Sequence, residues 1–157
     1  MKRVLLIGTI PPPIGGVSMH IQRFMDKYHT NSEFELDVLD LKKRKLYTRK
    51  RTMSLFQIIR KLNYVDMVHL HISNDLKILI AFLSKLLGKK VIYTHHNIRV
   101  KNKTLFKVFM SFVDELILVN DNDIHISIKE QYDYYLVPAF LPSLDQTKLP
   151  ESLANHL

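Results

Sequence analysis

Short apolar runs alternate along this chain with segments whose apolar residues recur every three or four positions. That alternation restricts the fold more than any other feature. Lys2 to Gly8 is a near-continuous apolar run, as in a strand buried on both faces of a parallel sheet. From Gly16 onward, Val17, Ile21, Phe24 and Tyr28 fall on one face of a helix, with Ser18 as its expected cap. Glu35 to Leu41 alternates as a second strand, and a weak edge strand is expected near Leu46 to Thr48. Ser54 to Leu62 is predicted as a helix with the stripe Leu55, Ile58, Ile59 and Leu62. Asp66 to Ile72 is a strand. Asn74 then caps an apolar helix that runs to Leu87 and stops at Gly88. Lys90 to His96 and Glu115 to Asp121 are strands flanking a helix at Thr104 to Val113. A short helix at Asp123 to Glu130, a last strand at Tyr134 to Pro138 and a loop-like tail complete the pattern. Strands alternating with helices predict an α/β fold, a doubly wound and mainly parallel sheet in the order 3-2-1-4-5-6-7, with helices on both faces. In such a sheet ligands bind beyond the carboxyl ends of the strands, where the winding reverses. Here that is between the first strand and the strand at Asp66.

The connection "GTIPPPIGGVSMHI", Gly8 to Ile21, arrives at that point. Proline fixes φ and offers no amide donor. Paired glycines permit φ > 0 and let another molecule approach the backbone. The loop lacks G-x-G-x-x-G and the G-K-[ST] of a P-loop. It still sets Gly15, Gly16 and the amides of Val17 and Ser18 at a helix N-terminus, which suits an anion. Two readings stand side by side: a cradle for an anionic ligand, or a tight turn that needed glycine.

The 157 residues are enough for one domain with a real core. The absence of cysteine excludes a disulfide framework and a thiolate metal site. No segment reaches the ~18 apolar residues of a membrane span. The formal charge of +8 is concentrated rather than spread. No acidic residue lies between Asp40 and Asp66, an interval that holds Lys42, Lys43, Arg44, Lys45, Arg49, Lys50, Arg51, Arg60 and Lys61. The rest of the chain is close to neutral. A local cationic patch points to an anionic partner surface. Because the interval mixes charge with Leu46, Tyr47, Met53, Leu55 and Phe56, an anionic membrane is the favoured partner over a merely solvated face. Arg99, Lys101, Lys103 and Lys107 add charge near Leu105, Phe106 and Phe109. No nucleic-acid module is recognisable.

The stretches "GTIPPPIGGVSMHIQRF", "DMVHLHIS", "VIYTHHNIR", "VDELILVND" and "YLVPAFLP" run in order along nearly the whole chain. Together they resemble the N-terminal domain of a family 4 glycosyltransferase of GT-B architecture, of the kind that builds bacterial capsule and surface polysaccharide. The resemblance implies that residues 1–157 are one Rossmann-like, acceptor-side domain of a retaining transferase, with the nucleotide-sugar donor held in a cleft against a second domain. It implies that Gly15 and Gly16 lie against the donor diphosphate. His96 matches the family's histidine that touches the donor sugar, His71 and Ser73 line the cleft, and Asn120 stands where a small polar residue is common. Acceptors of such pathways are often lipid-linked saccharides, which would place the protein on the inner face of the cytoplasmic membrane. No metal or other cofactor is expected. The family's donor-binding domain, with its glutamate pair spaced eight apart, is not matched: the glutamates stand at 33, 35, 115, 130 and 151. The chain by itself is therefore expected to be catalytically incomplete.

Four histidines have a second reading. His69 and His71 share one face of their strand, and His95 and His96 end the next. Imidazoles so placed suit zinc or a similar metal, but no carboxylate or thiolate accompanies them. His69 is expected to be a core histidine with a backbone partner. Of His95 and His96, only one can face the cleft, and His96 is favoured. His20 is expected only to help pack its helix. Two further functional classes remain: a non-catalytic subunit that anchors a separate donor-binding chain to the membrane, and a free-standing nucleotide- or nucleic-acid-binding module.

Overall fold

The structure, a computed structural model, describes residues 1–28, 33–48, 50–96, 102–119 and 131–137. Strand β1 (Lys2–Ile7) leads through the proline-glycine loop into helix α1 (Gly16–Tyr28), then β2 (Phe34–Asp40). A basic hairpin follows, β3 (Lys45–Leu46) and β4 (Arg51–Thr52), then α2 (Leu55–Tyr64) and β5 (Met67–Leu70). The remaining elements are α3 (Leu76–Leu86), β6 (Lys90–His95), α4 (Lys103–Met110), β7 (Glu115–Leu118) and β8 (Tyr134–Leu136). The expected helix at Asp123 to Glu130 and the tail from Ala139 lie outside the described residues.

Among the described residues the sheet has eight strands in the order β4-β3-β2-β1-β5-β6-β7-β8. Six are parallel, and the hairpin adds β3 and β4 antiparallel at one edge. The order expected from the alternation of strands and helices is the one observed, with β4 as an addition beyond the weak edge strand. Both hairpin strands are two residues long, too short for periodicity to show.

Alternating side chains divide the core. Leu5, Ile7, Val68, Leu70, Val91, Tyr93, Leu116 and Leu118 face α2, α3 and α4 in the larger cluster. Leu6, Ile10, Val38 and Ile21 of α1 form the smaller one on the opposite face. At the carboxyl end of β1, a Cβ on Gly8 would lie 2.1 Å from Ile21 Cδ1 and 3.2 Å from His71 Cβ. Gly8 therefore lets α1 and the segment after β5 close on the same strand end.

Capping explains most helix boundaries. Ser54 and Gln57 form a reciprocal capping box at the start of α2. The expected stripe of α2 is narrower than its sequence suggests: Ile58 and Leu62 are buried, whereas Leu55 and Ile59 are exposed. Helix α3 begins one residue later than expected, and neither Asn74 nor Asp75 contributes a side-chain cap; Asn74 serves through its carbonyl, 3.2 Å from the Lys77 amide. The α3 terminus is as expected. Gly88 has φ +69°, and the amides of Gly88 and Lys89 bond the carbonyls of Lys85 and Ser84 in a Schellman motif.

Candidate functional site

Three carboxyl ends meet where the winding of the sheet reverses. Gly8 follows β1, His71 follows β5, and His96 follows β6. The backbone carries His71 into place, because its amide bonds the Ile7 carbonyl at 2.8 Å. Since side chains alternate along a strand, His69 and His71 both face α1, as do Thr94 and His96 of the neighbouring strand. His95 faces the other way, with Nδ1 2.9 Å from the Tyr93 hydroxyl and its ring against Phe106. Of the two adjacent histidines, His96 is thus the one on the α1 side.

His71 Nδ1 and His96 Nε2 are 2.9 Å apart, a direct imidazole–imidazole hydrogen bond. His20 descends from α1 to join them, its ring centroid 5.5 Å from that of His71 and 5.2 Å from that of His96. His69 lies 4.3 Å below His71, and its Nε2 meets the Thr94 hydroxyl at 2.7 Å. The partner of His69 is therefore a side chain, not the backbone group expected: the neighbouring strand's own amides and carbonyls are committed to the ladder. His20 is the residue that sequence reasoning undervalued. Its signal was present, because it sits three residues after Val17 and four before Phe24, within the inward stripe of α1.

Burial holds these rings neutral. Desolvation, with the neighbouring imidazoles adding to it, lowers His96 to about 4, His69 to about 3 and His71 well below the ordinary value. His20 is lowered by burial and then by Arg23. The cluster therefore offers lone pairs and N–H donors but no positive charge. Positive potential comes instead from the start of α1, where the amides of Gly16, Val17 and Ser18 have no intrahelical carbonyl to bond.

The loop geometry separates the two glycine readings. Gly15 and Gly16 are exposed, neither has φ > 0, and a Cβ on Gly16 would meet nothing within 4 Å. Neither backbone nor packing demands glycine there. Ser18 is not the cap that was expected. It is the third helical residue, and its hydroxyl reaches back to accept the Gly15 amide at 2.9 Å while facing the Pro13 carbonyl at 2.9 Å. This leaves the next three amides at the helix tip. Lys43 fixes the far side of the loop, its Nζ 2.6 Å from the Pro12 carbonyl and 3.3 Å from the Tyr47 hydroxyl. Ser73 stands exposed two residues beyond His71. Asn120 lies outside the described residues.

The cationic interval divides into structural and exposed parts. Lys61 turns inward to a buried ion pair with Asp37, which also takes the Thr48 hydroxyl. Leu46, Met53 and Tyr47 belong to the core clusters, so the expectation that they form an interfacial surface does not hold. Lys42, Arg44, Lys50, Arg51 and Arg60 are exposed, Lys45 is half-buried, and Arg49 lies outside the described residues. Beside them α2 exposes Leu55 (68%), Phe56 (75%) and Ile59. Among the described residues, no helix is long and apolar enough to cross a membrane.

No protein-family model matches the sequence, and no curated protein is similar to it. The fold, however, has solved counterparts. Anabaena Alr3699/HepE in complex with UDP and glucose superposes over 99% of this chain with a TM-score of 0.60 at 12% identity. Its complex with UDP gives 0.58 at 10% identity. The chain spans about half the length of these structures, 49% in each case. What the likeness establishes is the fold alone: a Rossmann-like α/β architecture with a mostly parallel sheet.

Proposed function

We propose that this chain is the acceptor-binding half of a retaining glycosyltransferase that moves a sugar from a nucleotide donor to a membrane-linked saccharide in polysaccharide biosynthesis. The observation that carries the reading is the junction, at the sheet's switch point, of a side-chain-free helix N-terminus with the neutral His71–His96 pair. HepE, which shares the fold, binds UDP and glucose. In this reading the donor diphosphate lies against Gly15, Gly16 and the amides of Val17 and Ser18, where the helix dipole offsets the charge that grows on the leaving group. His96, neutral and held by His71, hydrogen-bonds a hydroxyl of the donor sugar and so fixes the anomeric carbon relative to the acceptor. Ser73 and Asn120 would line the same cleft. A donor-binding domain would supply the remaining nucleotide contacts.

The acceptor's lipid explains the cationic face. Arg44 and Lys50 occupy left-handed backbone positions, with φ of 51° and 49°. Glycine would relieve up to about 1 kcal/mol at each, so charge is kept there at some expense of stability. With Lys42, Arg51 and Arg60 around Leu55, Phe56 and Ile59, this surface suits an anionic leaflet, each cation contributing about 1 kcal/mol. The same surface would also serve a non-catalytic anchoring subunit. Replacing His96 tests the transferase reading. In an enzyme completed with a donor-binding domain, His96→Ala is expected to lower turnover by about 100-fold with little change in melting temperature. Matching losses of turnover and stability would instead assign His96 to packing.

A further inference from the structure

We propose that His20, His71 and His96 form a binding site for a borderline transition-metal cation, with Zn2+ as the representative ion. One ring nitrogen from each residue lies within 4.8 Å of the others. The site shares His71 and His96 with the transferase reading, so a bound ion would compete with the donor sugar for His96; the test below reads metal binding alone and does not depend on that reading.

A second observation concerns one of the same rings. His71 is buried, and its Nε2 has no hydrogen-bond partner among the described residues. Leaving a buried polar atom unsatisfied is costly, so such an atom calls for an occupant. The rings are neutral, the form in which imidazole ligates a metal. The donor set also selects the ion. Among the described residues, no carboxylate or thiol joins the three nitrogens. All-nitrogen sites suit Zn2+, Ni2+ and Cu2+ and are poor for the oxygen-seeking Mg2+ and Ca2+. Three imidazoles leave a tetrahedral ion one open position.

The geometry needs modest closure. Nitrogens sharing one tetrahedral zinc stand roughly 3.3 Å apart, given Zn–N bonds of about 2.0–2.1 Å. The separations close by about 1.5 Å at most, and for the ion to satisfy His71 Nε2 that ring must turn away from its Nδ1 contact with His96. The rings come from three elements (α1, the end of β5 and the end of β6), so the ion would tie helix to sheet. Arg23 lies close enough for its charge to be felt at His20, and no anion balances the ion within the cluster. Micromolar rather than tighter affinity is the expected consequence.

The test uses the purified chain, stripped with chelator and titrated with Co2+ as a spectroscopic stand-in for Zn2+. The expected result is one equivalent bound, with the intense visible absorption of a tetrahedral site, displaced by Zn2+ and not by Mg2+. His96→Asn, at the least buried of the three, and His20→Asn should each weaken binding by about 100-fold while the melting curve shows a folded protein. The inference is overturned if no tetrahedral spectrum develops. It is equally overturned if the triple variant His20→Asn, His71→Asn, His96→Asn binds Co2+ as the parent does, because the ion would then be held elsewhere.

Discussion

Gly8 and Gly16 are the same residue type at the two ends of one loop, and the structure gives them opposite surroundings. Gly8→Ala places a methyl against buried Ile21 and His71. Overpacking of this kind costs about 1–3 kcal/mol, so thermal melting should fall by several degrees. Gly16→Ala meets no neighbour and has no left-handed backbone to strain. Its stability should be unchanged or slightly raised, while nucleotide binding should weaken because the methyl stands at the helix tip. The sequence displayed both glycines but not this difference, which depends on what packs across the strand end. Lys77 was equally hidden. It is buried, with Nζ 3.2 Å from the Tyr93 hydroxyl and beneath the rings of Phe106 and Phe109. Burial lowers it from 10.5 to about 8. Between those values the unfolded chain binds the proton that the folded chain has released, so stability should rise with pH through that window. Lys77→Met should abolish the rise, as followed by denaturant melts at pH 8 and pH 10.

Helix α2 shows why an apolar stripe can be read in sequence without its destination. Ile58 and Leu62 enter the core, yet Leu55, Phe56 and Ile59 remain outside. Periodicity reports a face and not what covers it. Charge runs carry the same ambiguity: Lys43 braces the proline loop and Lys61 neutralises Asp37, while Arg44 and Lys50 stay exposed. Only long-range partners separate these roles, and no local pattern encodes them. At this scale the expected outcome concerns membranes. Leu55→Glu with Phe56→Glu should abolish sedimentation with anionic vesicles and leave the melting temperature intact. Lys50→Gly should not lower stability but should weaken vesicle binding. If neither variant changed vesicle association, the exposed face of α2 would have no role at a lipid surface.

The parallel part of the sheet was legible because its strands announce themselves as apolar or alternating runs and the helices between them as amphipathic segments, whereas the two-residue β4 left no such signal. Strand order then placed the glycine loop, His71 and His96 at one switch point. The convergence of three imidazoles was not legible, because His20 approaches from α1 at a distance set by Gly8 and Ile21 rather than by spacing along the chain. Likeness to HepE over 99% of the chain establishes the architecture, and the proposed chemistry rests on this junction. The most direct test is nuclear magnetic resonance of the chain titrated with UDP. The amides of Gly16, Val17 and Ser18 and the His96 ring should shift together and saturably, with Gly16→Ala suppressing the response. Shifts confined to other elements, or none at millimolar UDP, would contradict a donor-diphosphate site at the α1 N-terminus.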